Sequence, residues 1–330
     1  MTQPPANVVP VCYRHPDRET YVRCTRCDRP ICPNCMNEAS VGFQCPECVR
    51  EGARTQRPVR TAFGGGQEGA LGVVTITLIV INVLVFIASV ISSGTADSLA
   101  GGGIGGLFGG STPLHEWGGL TTYRNIPLED ADHNPFYRIL DGGLVDGQYY
   151  RLFTSMFLHY GLFHLLMNMW ALWVLGRPLE AMLGRSRFLA LYLVAGLGGS
   201  VVTYLVGSEW ALTAGASGAI FGLFAALIIV LRKMRRSVAG IVPVLVLNLV
   251  ITFSVPGISI TGHLGGLLFG AIAAAALAYA PRSRRTLVQA AALVAVVVVL
   301  AVGTVVHTAS LTELPVGSIV NSDKQVVQEN

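Results

Sequence analysis

The sequence predicts an all-α membrane protein, a bundle of seven transmembrane helices behind a small, cysteine-rich N-terminal module. Three observations lead there. Of 330 residues, 52% are hydrophobic and 13% charged, whereas soluble domains carry about a quarter charged residues. Mean hydropathy is +0.56, the value of a polytopic membrane protein. All seven cysteines fall between Cys12 and Cys48. The membrane part therefore has no cysteine chemistry and its exported loops no disulfides.

Met1 to Pro10 has neither a basic start nor an apolar run, so no signal peptide is expected. Residues 1–50 hold four ligand pairs at one spacing: Cys12-x2-His15, Cys24-x2-Cys27, Cys32-x2-Cys35 and Cys45-x2-Cys48. His15 completes a set of eight, which suits two tetrahedral Zn2+ ions better than a disulfide scaffold. So short a segment cannot bury a sufficient core, and structural metal would supply its folding energy. The spacing alone leaves sequential and interleaved ligation open. The order of pairs resembles B-box and related cross-braced zinc fingers. That resemblance implies one ion on Cys12, His15, Cys32 and Cys35, and the other on Cys24, Cys27, Cys45 and Cys48. The expected partner is a cytosolic protein of unknown identity. No nucleic acid is expected, because Arg14, Arg18, Arg23, Arg26 and Arg29 are offset by Asp17, Glu19 and Asp28. Residues 51–70, with Arg54, Arg57, Arg60 and Gly64-Gly65-Gly66, read as a flexible basic linker.

The membrane domain, 71–307, contains apolar segments near 71–93, 152–175, 187–207, 216–231, 239–256, 262–280 and 287–307. A spanning helix needs about 20 apolar residues. The fourth segment is among the shortest. Its start is expected below the membrane surface, under a wet cavity, since irregular backbone at that depth needs one.

Lys and Arg set the orientation. Arg177, Arg185 and Arg187 follow the second segment. Arg232, Lys233, Arg235 and Arg236 follow the fourth, and Arg282, Arg284 and Arg285 the sixth. The opposite loops hold almost none. The N-terminus is thus expected in the cytosol, where thiols stay reduced, and the tail 308–330 outside, with the cell membrane the expected location. The loop 94–151 begins with the glycine-rich Gly101 to Gly110. It ends in aromatic and polar residues, including Trp117, Tyr123, Tyr149 and Tyr150, that suit the bilayer interface.

Three motifs carry chemistry. Gly215-Ala216-Ser217-Gly218 places a hydroxyl where a loop becomes an apolar helix. Gly262-His263-x2-Gly266-x3-Gly270 places an imidazole at the same end of another. His164 and Asn168, four apart, share one helical face. Polar groups in a membrane helix turn to the bundle interior. Gly218 with Gly222, and Gly266 with Gly270, are small-residue pairs that let two helices approach closely, as a Ser–His hydrogen bond requires. No Asp or Glu lies within the fourth or sixth segments, so a Ser217–His263 dyad is expected rather than a triad. Phe221, one turn below Ser217, is placed to stack on the imidazole.

Together these motifs resemble the rhomboid family of intramembrane serine proteases over residues 71–307, in its variant of six helices plus one. Tyr150-Arg151 stands where the family has Trp-Arg, and Gly262 where Ala is usual. The resemblance implies cleavage of transmembrane segments of other membrane proteins within the lipid bilayer, with Ser217 as nucleophile and His263 as base. It implies an oxyanion hole from His164, Asn168 and the Ser217 backbone N–H, with Gly215 shaping the turn. His159 would either line the water-filled entrance or pack in the core. Catalysis would need no metal. The rival expectation is an inactive rhomboid-like factor that binds membrane proteins.

Overall fold

The structure is a computed structural model that describes residues 9–55, 60–66, 72–94, 99, 109–129, 135–311, 313–321 and 323–325. Residues 101–108, and residues 56–59 and 67–70 of the linker, lie outside the described residues. The chain splits into two compact units, Met1–Val59 and Arg60–Asn330.

The first unit has almost no regular structure. Two antiparallel pairs, β1 (Val11–Cys12) with β2 (His15–Glu19) and β3 (Asn37–Glu38) with β4 (Phe43–Gln44), precede helix α1 (Pro46–Thr55). Among the described residues, its buried side chains are six of the cysteines, Ile31 and Thr20, too little apolar surface to offset the chain entropy of folding.

The second unit is a helical bundle. Its helices are α2 (Val73–Ser93), the short α3 (Pro113–Gly118) and α4 (Arg151–Thr154), α5 (Gly161–Leu183), α6 (Arg185–Val206), α7 (Ser217–Lys233), α8 (Val242–Ser254), α9 (Ile260–Tyr279) and α10 (Arg285–Ser310). Among the described residues, four helices are long and apolar enough to cross a membrane: α2, α6, α9, and α10 with its preceding turn.

The expected straight span over 152–175 is corrected by the structure. Arg151–Phe157 and Gly161–Leu183 meet at 92°. The break sits at Gly161, whose φ of +78° favours a residue without Cβ. The first piece runs nearly perpendicular to α5. Helix α7 has 17 residues, about 26 Å at 1.5 Å per residue, short of the ~30 Å hydrocarbon core. Helix α8 is shorter still, with 13 residues.

Burial ranks these helices. In α7, Ala219 to Leu227 and Val230 are buried, so it runs through the centre, against α6 and α9. Helix α8 buries one residue, Thr252. The side chain of Glu180, on α5, accepts hydrogen bonds from the Val74 and Thr75 N–H groups and the Thr75 hydroxyl at 2.8–3.0 Å. Gly72 at the N-cap of α2 has no side chain to do this. Glu180 is fully buried and caps a neighbouring helix.

The long loop between α2 and α4 carries a hairpin, β5 (Asn125–Glu129) with β6 (Pro135–Ile139). The tail adds a third strand, β7 (Ile319–Asn321), beside β6. Trp210 stacks on Tyr137 at 4.3 Å and on Tyr123 at 5.4 Å, and Lys324 pairs with Glu209 at 2.6 Å. Arg151, 2% exposed, donates to Gln148 and to the carbonyls of Glu116 and Gly119. It ties the loop to the start of α4.

Candidate active site

Ser217 is the first residue of α7. The segment before it is fixed from three sides. Leu120 and Thr213 exchange backbone hydrogen bonds, the Tyr160 hydroxyl donates to the Leu212 carbonyl, and the Gly215 N–H donates to the Ser155 carbonyl. Gly215 has φ +143°, and a Cβ there would lie 3.0 Å from the His164 ring. Glycine thus admits both the turn and the imidazole beside it.

Helix α9 brings His263 opposite. Ser259 caps that helix by accepting the Gly262 N–H. Closeness comes from glycine. A Cβ on Gly266 would overlap the Gly218 carbonyl, and one on Gly270 would overlap the Gly222 backbone. With these helices in backbone contact, the Ser217 Oγ and His263 Nε2 lie 2.7 Å apart. Phe221 stacks on the His263 ring, centroids 4.2 Å apart and planes at 16°. The Nδ1 of His263 lies 2.8 Å from the Thr252 hydroxyl of α8, a contact that sequence reading missed.

His164 and Asn168 lie one turn apart on α5, and the His164 ring is at the Gly215 turn. The Tyr160 N–H donates to the His164 Nδ1 at 3.3 Å. Its Nε2 then carries the ring proton in the neutral tautomer and faces the Gly215 turn. Asn168 Nδ2 donates one hydrogen to the His164 carbonyl at 2.9 Å and keeps a second. The first helical bond of α7 runs from the Ile220 N–H to the Ala216 carbonyl at 3.1 Å. The N–H groups of Ser217, Gly218 and Ala219 precede it and give this end of α7 a partial positive charge. His159 is 1% exposed, its ring 5.0 Å from that of His164. His115, outside the spans, stacks on Tyr160 at 4.5 Å, and burial pushes its imidazole down to about 4.

In the N-terminal unit the cysteines are free thiols. Cys12, His15, Cys32 and Cys35 form one cluster and Cys24, Cys27, Cys45 and Cys48 another, with the ligand atoms of each within 4.8 Å of one another. The His15 Nδ1 lies 3.3 Å from the Cys32 sulfur and 3.4 Å from that of Cys35. Four ligands about 2.3 Å from one ion are separated by about 3.8 Å, so the donors have the type and spacing that zinc needs. The interleaved pairing is the one present. Backbone N–H groups of Cys45 and Cys48 point at sulfurs 3.2–3.4 Å away, as suits thiolates.

A bundle of apolar helices with a hydroxyl and an imidazole apposed within it defines a class: polytopic membrane proteins with a Ser–His pair between two helices. The sequence profile described as "Rhomboid domain" matches residues 146–280. Rhomboid protease GluP of Bacillus subtilis (strain 168) is 43% identical over 139 residues, 41% of this chain and 27% of that one. Putative rhomboid protease YdcA of the same organism is 34% identical over 134 residues, 39% of this chain and 67% of the other. RHOMBOID-like protein 5 of Arabidopsis thaliana is 35% identical over 133 residues, 38% and 43% of the two chains. The chain belongs to the rhomboid family. Its match spans less than half the length of GluP and of the plant relative.

Proposed function

We propose that this chain is a serine endopeptidase that cuts transmembrane segments of other membrane proteins within the bilayer. The 2.7 Å approach of Ser217 Oγ to His263 Nε2, at the N-terminal end of a short central helix, carries this reading. A substrate segment that unwinds near the outer face presents an amide carbon to Ser217. His263 takes the hydroxyl proton as the Oγ–C bond forms, then gives it to the departing amine. Hydrogen bonds from the His164 Nε2, the second Asn168 hydrogen and the Ser217 backbone N–H stabilise the tetrahedral oxyanion as its charge develops. Water then hydrolyses the acyl-enzyme, with His263 again the base. Small or helix-breaking residues in the substrate favour cleavage, because an intact helix protects its own amides.

The Arg-rich loops support an N-terminus in the cytosol and a tail outside, in the cell membrane. In the N-terminal unit, Cys12, His15, Cys32 and Cys35 would hold one structural zinc, and Cys24, Cys27, Cys45 and Cys48 a second. The metal would supply the folding energy that the small core lacks. The folded unit would then dock a cytosolic protein.

Ser217→Ala tests the reading. Reconstituted with a single-span substrate that has small residues near its outer end, the wild-type protein cuts it and the variant does not, at unchanged thermal stability. Equal cleavage by both would reject the assignment. No cleavage by either, with substrate still bound, would favour the inactive binding factor.

A further inference from the structure

We propose that Thr252 is a positioning residue that holds His263 in the tautomer and orientation a general base needs. The inference rests on the Ser217–His263 reading above. A dyad without a carboxylate leaves one question open, namely what the second ring nitrogen does. Among the described residues, Thr252 is the group within hydrogen-bonding reach of His263 Nδ1, with its Oγ1 at 2.8 Å.

The direction of that bond follows from counting hydrogens. The Thr252 hydroxyl has one, and it is donated to the Asn248 carbonyl, also at 2.8 Å. The oxygen therefore offers Nδ1 a lone pair. Nδ1 carries the ring proton and donates it, which leaves the Nε2 lone pair facing Ser217 Oγ. The tautomer able to accept the serine proton is thus set by the hydrogen bond on the far side of the ring. The Phe221 stack limits the tilt of the imidazole but is indifferent to which nitrogen is protonated. The chain from the Asn248 carbonyl through Thr252 to Nδ1–H is polarised along its length. It strengthens when His263 becomes an imidazolium.

Burial supports the same reading independently. Helix α8 is built of Val, Leu, Ile and Phe, yet its one buried side chain is a threonine, 2% exposed. A bond to its own helix would satisfy that hydroxyl anywhere on the surface of α8. Turning it inward, in place of one of the many apolar side chains, gains the contact to His263. The position of α8 is therefore felt at the base, because an outward shift of this helix removes the acceptor from Nδ1.

The test compares Thr252→Val, Thr252→Ser, Thr252→Ala and Ser217→Ala in the full-length protein, reconstituted with one single-span substrate. Rates are expressed per folded molecule. Valine keeps the shape and loses the oxygen, and kcat falls about tenfold with KM unchanged, the loss expected for one neutral hydrogen bond. Serine keeps the oxygen and restores kcat to within about twofold of wild type, well inside that loss. Thr252→Ala takes the place of valine if that variant does not fold. Wild-type kcat in Thr252→Val or Thr252→Ala, or a Thr252→Ser as slow as they are, overturns the inference. Cleavage by Ser217→Ala would instead overturn the nucleophile assignment beneath it.

Discussion

At the scale of single residues, the site is a set of side chains whose protons are already directed. The Nε2 of His263 meets the Ser217 hydroxyl, and the Tyr160 N–H occupies His164 Nδ1. Removing one oxyanion donor is expected to cost about 10²–10³ in kcat. His164→Ala and Asn168→Ala should each lose activity on that order while KM holds, and steady-state kinetics on a reconstituted substrate checks this. The contacts of His263 with Ser217 and Phe221 could be anticipated from helix ends and helical spacing, whereas the oxyanion roles of His164 and Asn168 rest on the family resemblance. Thr252 could not be anticipated. It stands 11 residues from His263 in sequence, on another helix, and nothing in an apolar stretch says which side a threonine faces. Glu180 was visible as a membrane-edge carboxylate, but its capping of α2 is a tertiary contact. Glu180→Gln keeps the shape and loses the charge at that helix N-terminus. It should lower stability by about 1–3 kcal/mol, read from denaturation in detergent.

At the scale of elements, two helices do most of the positioning. Gly218 and Gly222 of α7 face Gly266 and Gly270 of α9 so closely that a Cβ on the α9 glycines would overlap backbone. Gly266→Val should therefore force the helices apart. The expected outcome is little folded protein, and in what folds a loss of activity with no change to either catalytic side chain. Gly196 offers a contrast, because a Cβ there would clash chiefly with the end of the Met156 side chain, which can move, with the Ala219 Cβ next at 3.3 Å. Thermal unfolding of Gly266→Val against Gly196→Ala separates a backbone clash from a flexible one. The glycine pairs were readable from their spacing. The bend between Arg151–Phe157 and Gly161–Leu183 was not, because it lies in backbone torsions, extended at Leu158 and Tyr160 and left-handed at Gly161, that the residue pattern does not mark.

For the whole molecule, the division into a cysteine-rich unit and a helical membrane unit is written in composition. The strand at the end of the chain is not. Ile319–Asn321 pairs with Phe136, Tyr137 and Arg138, roughly 180 residues away, and no local pattern announces such a partner. Removing residues 313–330 should strip the third strand and the Lys324–Glu209 pair from the loop that holds Thr213 through Leu120. A lower Tm with residual cleavage is expected from thermal scans and activity assays. The N-terminal unit makes a metal prediction. With eight ligands at four per ion, the full-length protein should carry about two zinc ions, measured by elemental analysis. A strong chelator should unfold this unit while the membrane unit keeps its helicity. Metal contents near zero would remove the zinc reading and leave the proteolytic one untouched.

The central claim is that the Ser217 oxygen is a nucleophile activated by His263. It is tested most directly by treating the reconstituted protein with a fluorophosphonate probe and locating the adduct by peptide mass spectrometry. A single adduct on Ser217 that disappears in His263→Ala is the predicted result. An unlabelled Ser217 in protein that still cuts its substrate, or labelling that persists without the imidazole, would contradict it.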